Sequence, residues 1–451
     1  MATLAQAAAE LAYTPVPAPS PDAEPTPRWH PATRIAFRFC VVYFGLYVIT
    51  TQMLGSLVVI PGLGIPPLQS LPPLRGIFLW IGNHVFGIAH PIAFRSTGSG
   101  DKTFDWVHAA ALLLIATIAT AVWSAVGRRR QHHARLFACF RLFLRLAVAT
   151  TFLSYGFAKV IPLQMPAPFL TRLVQPYGSF SPMGVLWSSI GASPAYEVFV
   201  GLAEVGAAVL LFIPWTAQLG AMMALMDSIA IFTLNMTYDV PVKLFAFHLV
   251  LMSLVLAAPN ARRLFDLFIL HRSAAIPPEP AIGRTSRARR IAVVAPMVFG
   301  LYAICLGFYR STESWMQFGG GAPRSALYGI WDVQQMAVDG QVRPPLATDT
   351  TRWRRAIFQR PVAMSFQRPT DTFKGYGTKI DTIAKTLTLT TFDSTPSKFP
   401  FTYQRPAKDR LILDGTMEGH AVHMELAYRD PDSFLQRSRG FHWISEMPFN
   451  R

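Results

Sequence analysis

Three cysteines in 451 residues, Cys40, Cys139 and Cys305, are too few and too scattered for a disulfide scaffold, and no CxxC, haem-attachment or iron–sulfur spacing occurs. Each sits singly in a different apolar stretch, as a small packing residue. Any electron this chain moves is therefore not carried by its own thiols or by a cluster it binds. Charge is scarce too: Asp, Glu, Lys and Arg make up 15% of the chain against 51% hydrophobic residues, which excludes an ordinary soluble domain. Residues 1–27 lack the basic start, apolar middle and cleavage site of a secretory signal, and their Ala, Pro and Ser content is that of a disordered tail.

What the chain has is apolar length. Seven segments, at about 35–60, 104–126, 137–161, 195–213, 217–235, 241–258 and 291–310, approach the roughly 20 residues that a spanning helix needs. Arg28, Arg34 and Arg38 precede the first; Arg128, Arg129, Arg130 and Arg135 follow the second; Arg262, Arg263, Arg284, Arg287, Arg289 and Arg290 lie between the sixth and seventh. The positive-inside rule then places the N-terminus in the cytoplasm and everything after the seventh span outside it. The formal charge of +16 is mostly this topology signal, since residues 311–451 carry 18 basic and 14 acidic groups. Its counter-charge is membrane lipid headgroups rather than nucleic acid.

Two extracytoplasmic loops are ordered on this reading. The loop from Pro61 to Lys102 holds apolar runs too short to span, which predicts an interfacial or re-entrant helix. It closes with Gly98-Ser-Gly-Asp101, read as the start of the next helix in preference to an ion or phosphate site. The loop from Pro162 to Pro194, rich in proline and aromatics, predicts a cap or lid.

Chemistry concentrates at Asn235-Met-Thr-Tyr-Asp-Val-Pro-Val-Lys243, with His248 just beyond, because polar groups at membrane depth by default face the bundle interior. A rise of about 1.5 Å per residue places Glu204 roughly 14 Å, Asp227 roughly 12 Å and His248 roughly 10 Å below the outer surface. These three carry the catalytic expectation together with Asp239 and Lys243, while Tyr155, Lys159, Glu197, Asn235 and Tyr238 form a binding ring above them. Glu197 and Glu204 are seven apart, on one helical face with Gly201 and Ala208, whose small size admits a close neighbouring helix. Carboxylates and His pass protons there, while Tyr and Asn hold carbonyl oxygens. Structural roles compete with these: Lys159 and Lys243 as headgroup-reaching side chains, Asp239 as cap of the helix begun by Pro241, Tyr155 and Tyr238 as belt residues, Arg141 and Arg145 as headgroup contacts. A b-type haem between His108 and His248 has only two lone histidines behind it.

Spans three to six resemble the four-helix DoxX family. The resemblance is carried by Arg141 entering a span that ends Tyr155-Gly-Phe-Ala-Lys159, then Gly201-Leu-Ala-Glu204, then Asn235 to Lys243 and His248, over about residues 136–270. It implies quinone-linked redox at the membrane, an oxidoreductase subunit with quinone as its redox molecule, and a periplasmic redox or envelope protein as partner. Two N-terminal spans, a seventh span and a C-terminal domain exceed the minimal family pattern.

In residues 311–451 the pattern predicts an amphipathic helix near Ser325–Val338, then strands at Val362–Gln367, Lys379–Phe392, Phe399–Gln404, Arg410–Asp414, His420–Arg429 and Ser433–Ile444. An antiparallel meander or small lipocalin-like barrel follows. His420 and His423 point to opposite faces of a strand, so no metal site is assigned to them or to His442. The aromatic, basic ending, residues 439–451, is expected to dock this domain on the bundle mouth.

The expectation is an α-helical polytopic membrane protein of about seven transmembrane helices, with a DoxX-like four-helix core and a C-terminal extracytoplasmic antiparallel β domain. Its parts are a disordered tail at 1–33, two spans and their loop at 34–135, the core at 136–270, a basic linker at 271–290, the seventh span at 291–310 and the β domain at 311–451. The alternative to a redox component is a non-enzymatic envelope protein that binds a lipid or small solute and presents its periplasmic domain to partners.

Overall fold

The computed structural model describes residues 29–92, 94, 97–128, 133–272, 282 and 285–450. The expected tail lies outside the described residues up to position 28, as does much of the basic linker, at 273–281, 283 and 284. Among the described residues, seven helices are long and apolar enough to cross a membrane. In chain order the helices are α1 (Pro31–Thr50), α2 (Met53–Leu57), α3 (Pro72–His84), α4 (Thr103–Val126), α5 (Ala134–Val160), α6 (Leu170–Val174), α7 (Pro182–Gly191), α8 (Pro194–Phe212), α9 (Ala217–Thr237), α10 (Lys243–Ala257), α11 (Ala261–Phe268), α12 (Ser286–Gln317) and the short α13 (Leu435–Ser438). The spanning ones are α1, α4, α5, α8, α9, α10 continued into α11, and α12.

The bundle closes on α5, whose Leu144, Ala147, Val148 and Ala149 have no solvent exposure. It meets α8 where two glycines let the backbones touch: a Cβ on Gly201 would stand 2.6 Å from Val160 N and 2.8 Å from Gly156 O. Helix α12 lies outside, its Gly307 against the Phe157 ring, and Tyr302 Oη donates to Val59 O at 2.8 Å. Helix α3 is the short helix expected after the first span, and α6 and α7 build the expected cap.

Arg38 departs from the reading of it as a flanking topology charge. It lies inside α1, 3% exposed, and donates to Gly127 O at 3.1 Å while its guanidinium faces His133 Nε2. It ties α1 to the α4–α5 connection.

The C-terminal domain is a β-barrel of strands β1 (Gly329–Val338), β2 (Gln341–Val342), β3 (Arg355–Arg360), β4 (Ala363–Gln367), β5 (Phe373–Asp381), β6 (Thr386–Thr390), β7 (Lys398–Ala407), β8 (Arg410–Met417) and β9 (His420–Arg429). They run as an antiparallel meander, and β9 returns to pair with β1, which removes the sheet edges. Alternate side chains fill the interior, among them Trp331, Phe358, Phe366, Leu389, Leu413 and Met424, all fully buried. The resemblance to a lipocalin therefore ends at the meander, because the inside is a packed core.

Three expectations for this domain are corrected. The helix expected near Ser325–Val338 is strand β1, in which a bulge between Val333 and Gln335 resets the two-residue alternation. The buried Ile330, Val333 and Met336 then fall three apart and imitate a helical stripe. The single strand expected over Lys379–Phe392 is parts of β5 and β6, turned where Asp381 Oδ1 accepts from Ile383 N and Ala384 N at 2.9 and 2.8 Å. No strand forms at Ser433–Ile444, where a 3₁₀ turn and α13 lead into an exposed ending.

That ending does not dock the domain, since Phe441, Trp443 and Ile444 are 76%, 92% and 79% exposed. The barrel instead sits on α6: Leu170 packs with Ile330 and Ile357, Leu170 N donates to Gln359 Oε1 at 2.9 Å, and Gln367 Nε2 donates to Val174 O at 3.1 Å.

Candidate functional site

The Gly156–Gly201 crossing brings the end of α5 against the N-terminal half of α8, and two of their side chains meet there. Lys159 Nζ lies 2.7 and 2.9 Å from the two carboxylate oxygens of Glu204, and the residues are 5% and 1% exposed. Small residues set this distance, and the low dielectric around the pair strengthens it. One turn before Lys159, the Tyr155 hydroxyl accepts from Gln52 Nε2 at 3.0 Å, and its ring centroid is 5.9 Å from Lys159 Nζ.

Glu197, on the same face of α8 and fully buried, accepts from Met165 N at 2.9 Å through Oε1. Its Oε2 has no hydrogen-bond partner among the described residues, and neither has Asp227 Oδ2. Asp227, half-buried on α9, is an electrostatic neighbour of both Lys159 and Glu204.

Lys159, Glu204, Tyr155, Asn235 and Gln164 open into one chamber of about 120 Å³ between α5, α7, α8, α9 and α10. Its other walls are chiefly apolar: Phe152, Leu186, Trp187, Ile190, Ile231, Leu234, Phe245 and Leu249. Gln164 Oε1 is buried there without a hydrogen-bond partner among the described residues. The volume is close to the roughly 150 Å³ of an apolar protein cavity that takes up benzene. The chamber thus offers room for one ring, a charged pair and an unused acceptor.

The other expected site residues lie elsewhere. His248 faces α1: Nδ1 donates to Leu244 O at 2.7 Å, Nε2 is 2.7 Å from the Tyr43 hydroxyl, and the ring stacks on Tyr47 at 3.9 Å. It neighbours His108, which bonds Thr50 Oγ1 at 2.9 Å. Depth alone could not reveal this, because a helix presents His248 on a different side from Phe245, Ala246 and Leu249, which do line the chamber. Asp239 is exposed in a left-handed turn (φ 52°) and pairs with Lys243 at 2.7 Å; Tyr238 is half-buried outside the chamber wall. The cap of α10 is not Asp239 but Asp101, whose carboxylate accepts from Lys243 N and Leu244 N, both at 2.9 Å. Gly98-Ser-Gly-Asp101 is accordingly a structural clasp, with Gly100 N donating to Pro241 O at 2.8 Å.

Sequence reasoning missed Gln52, Gln164 and Trp187. Gln52 falls inside the stretch expected as the first span, and Gln164 and Trp187 in the loop expected to be a lid, so position gave a signal only for the last two. A second, larger chamber of about 510 Å³ adjoins the first and is lined by Tyr47, Thr51, Gln52, Gln69, Lys102, Asp105 and His108, with Tyr155, Val242 and Phe245 common to both. Among the described residues no three His, Cys, Asp or Glu side chains gather as a metal-holding group. In the barrel, His420 pairs with Asp339 at 2.7 Å and His423 with Asp414 at 2.6 Å.

No family model matches the chain, and no solved structure matches it. Among curated proteins it is 32% identical over 140 residues to an uncharacterized protein of Bacillus subtilis (strain 168), YwoB; the match covers 29% of this chain and 80% of that protein.

Proposed function

The chain belongs to the family of Bacillus subtilis YwoB, and from what its chamber holds we propose that it is a DoxX-like bacterial inner-membrane protein which admits a quinone-like ring to the apolar chamber and serves a quinone-linked redox step. The observation that carries this reading is the buried Lys159–Glu204 pair beside the unpartnered Gln164 Oε1, in an otherwise apolar space the size of one ring. Lys159 Nζ and Asn235 Nδ2 are donors for a carbonyl oxygen, and Gln164 Oε1 is an acceptor for a hydroxyl. Bound there, a quinone supplies two-electron, two-proton chemistry. The residues of the chain hold its head group and exclude water from it, and the partner that exchanges electrons is a periplasmic redox or envelope protein.

In this reading the N-terminus is cytoplasmic and the barrel periplasmic. The reading is supported by the arginines that gather at the bundle end opposite the barrel, where Arg141, Arg145 and Arg289 line a cavity of about 240 Å³ suited to anionic lipid headgroups. The test is titration of the nanodisc-embedded protein with an alkyl benzoquinone, read by quenching of Trp187 against a Trp187→Phe control, with mass spectrometry of co-extracted lipids. Saturable quenching that Glu204→Gln weakens is expected; no bound quinone and no Glu204 dependence would refute the reading.

A second reading, a non-enzymatic envelope protein that presents the barrel to partners, is favoured by one feature: α6 clamps the barrel to the cap through Leu170, Ile330 and Ile357. Stable co-purification with an envelope complex, without ligand-dependent redox turnover, would select it.

A further inference from the structure

We infer that the second chamber is a water-filled vestibule from which protons reach the apolar chamber through the Tyr155 hydroxyl, with Gln52 as the residue that positions it. The inference rests on the proposed function only for what receives the proton; the division into a wet and a dry chamber stands on geometry alone.

The two spaces differ in kind. The first is walled mainly by carbon, whereas the second sets Gln52, Gln69, Lys102, Asp105 and His108 among its apolar walls. Gln69 Oε1 is buried in the second without a hydrogen-bond partner among the described residues. Gln164 Oε1 is equally unpartnered in the first chamber, so room is what separates the two: about 510 Å³ among polar groups holds on the order of ten waters, against about 120 Å³ behind mainly apolar walls.

Among the described residues only Tyr155, Val242 and Phe245 line both chambers, and of these side chains only Tyr155 carries an exchangeable proton. The Tyr155 and Phe245 rings lie 6.1 Å apart and tilted, forming the partition. Tyr155 Oη accepts from Gln52 Nε2 at 3.0 Å, which fixes the oxygen and leaves its own proton free to donate. The charged and titratable groups that face it are Lys159 on its own helix, Glu204 on α8, and Lys102, Asp105 and the imidazole of His108 on the α4 side of the vestibule. In the step itself the Oη–H bond breaks toward an acceptor oxygen in the first chamber, and the phenolate takes a proton from vestibule water. One proton crosses and no electron moves.

Two measurements test this. In a background with Cys40, Cys139 and Cys305 replaced by Ala, the thiol of Gln69→Cys should react with a charged methanethiosulfonate at least about tenfold faster than that of Ile231→Cys, whereas a neutral apolar maleimide should reach both. Equal reaction with the charged reagent would overturn the wet and dry division. In Tyr155→Phe, which keeps the ring partition, binding of an alkyl benzoquinone should persist. Proton uptake from the medium on its reduction by dithionite should slow by about 100-fold. Unchanged uptake would overturn the gate. Gln52→Ala should shift the Tyr155 C–O band in infrared difference spectra, a change that a merely structural glutamine would not give; an unshifted band removes Gln52 from the relay. If wild type binds no benzoquinone, the proposed function fails while the cysteine contrast still decides the vestibule.

Discussion

Removing one member of the Lys159–Glu204 pair should cost far more than removing both. At 2.7 and 2.9 Å, and at an effective dielectric of about 20, the attraction between the charges is about 6 kcal/mol. Most of that offsets the loss of hydration by two groups whose side chains are 7% and 2% exposed. A lone survivor keeps the dehydration cost without the attraction, so Lys159→Met and Glu204→Leu should each lose about 3–5 kcal/mol, while the double variant should lie near wild type. Denaturant unfolding in detergent micelles, followed by intrinsic fluorescence, gives the three differences and their coupling. The double variant should also bind no benzoquinone while remaining folded, which separates the stabilising part of the pair from its binding part. Single variants within about 0.5 kcal/mol of wild type, or a double variant as weak as the sum of the singles, would refute the reasoning.

Gly201→Ala should destabilise by at least about 1–3 kcal/mol in the same assay, because the added methyl meets backbone atoms of α5 that cannot yield. Asp101→Ala should cost about 0.5–2 kcal/mol and speed hydrogen exchange at the Lys243 and Leu244 amides it now accepts from; unaltered exchange there would reject its capping role. Leu170→Ala should weaken barrel docking by about 2–4 kcal/mol and open residues 166–176 to limited proteolysis, a change that an unaltered digestion pattern would contradict. In the barrel, the Asp414 carboxylate beside His423 raises the imidazole above its ordinary value of 6.5, with burial opposing and Glu425 adding to the effect. A raised folded-state value stabilises fully below the unfolded value and is lost as pH rises through the folded one. Stability of the barrel should therefore fall as pH climbs from about 6.5, and His423→Gln should flatten that slope.

How much could be read in advance differs between the parts of the chain. The spans were legible because a bilayer demands apolar length whatever the packing, and each observed helix overlaps its expected segment. The α8 face was legible because seven-residue spacing fixes Glu197, Gly201 and Glu204 on one side, and all three are buried. Strand β1 was not, because its bulge exchanged one periodicity for another. Strand β3 was not expected either: it opens on Arg355, a residue type that local pattern does not assign to an interior, yet Arg355 is 8% exposed and bonded to Asp332 at 2.7 Å and Gln367 at 2.8 Å.

By itself the sequence determined the apolar spans and the face that Glu204 occupies, since both follow from local spacing along one chain. Only the tertiary structure decided that Lys159 is the partner of Glu204, that His248 turns to Tyr43 and Tyr47, and that Asp101, more than 140 residues away, caps α10. The reason is geometric: spacing fixes where a residue lies on its own helix, but which helix stands opposite is set by where glycines allow close approach and how the connecting loops fold back.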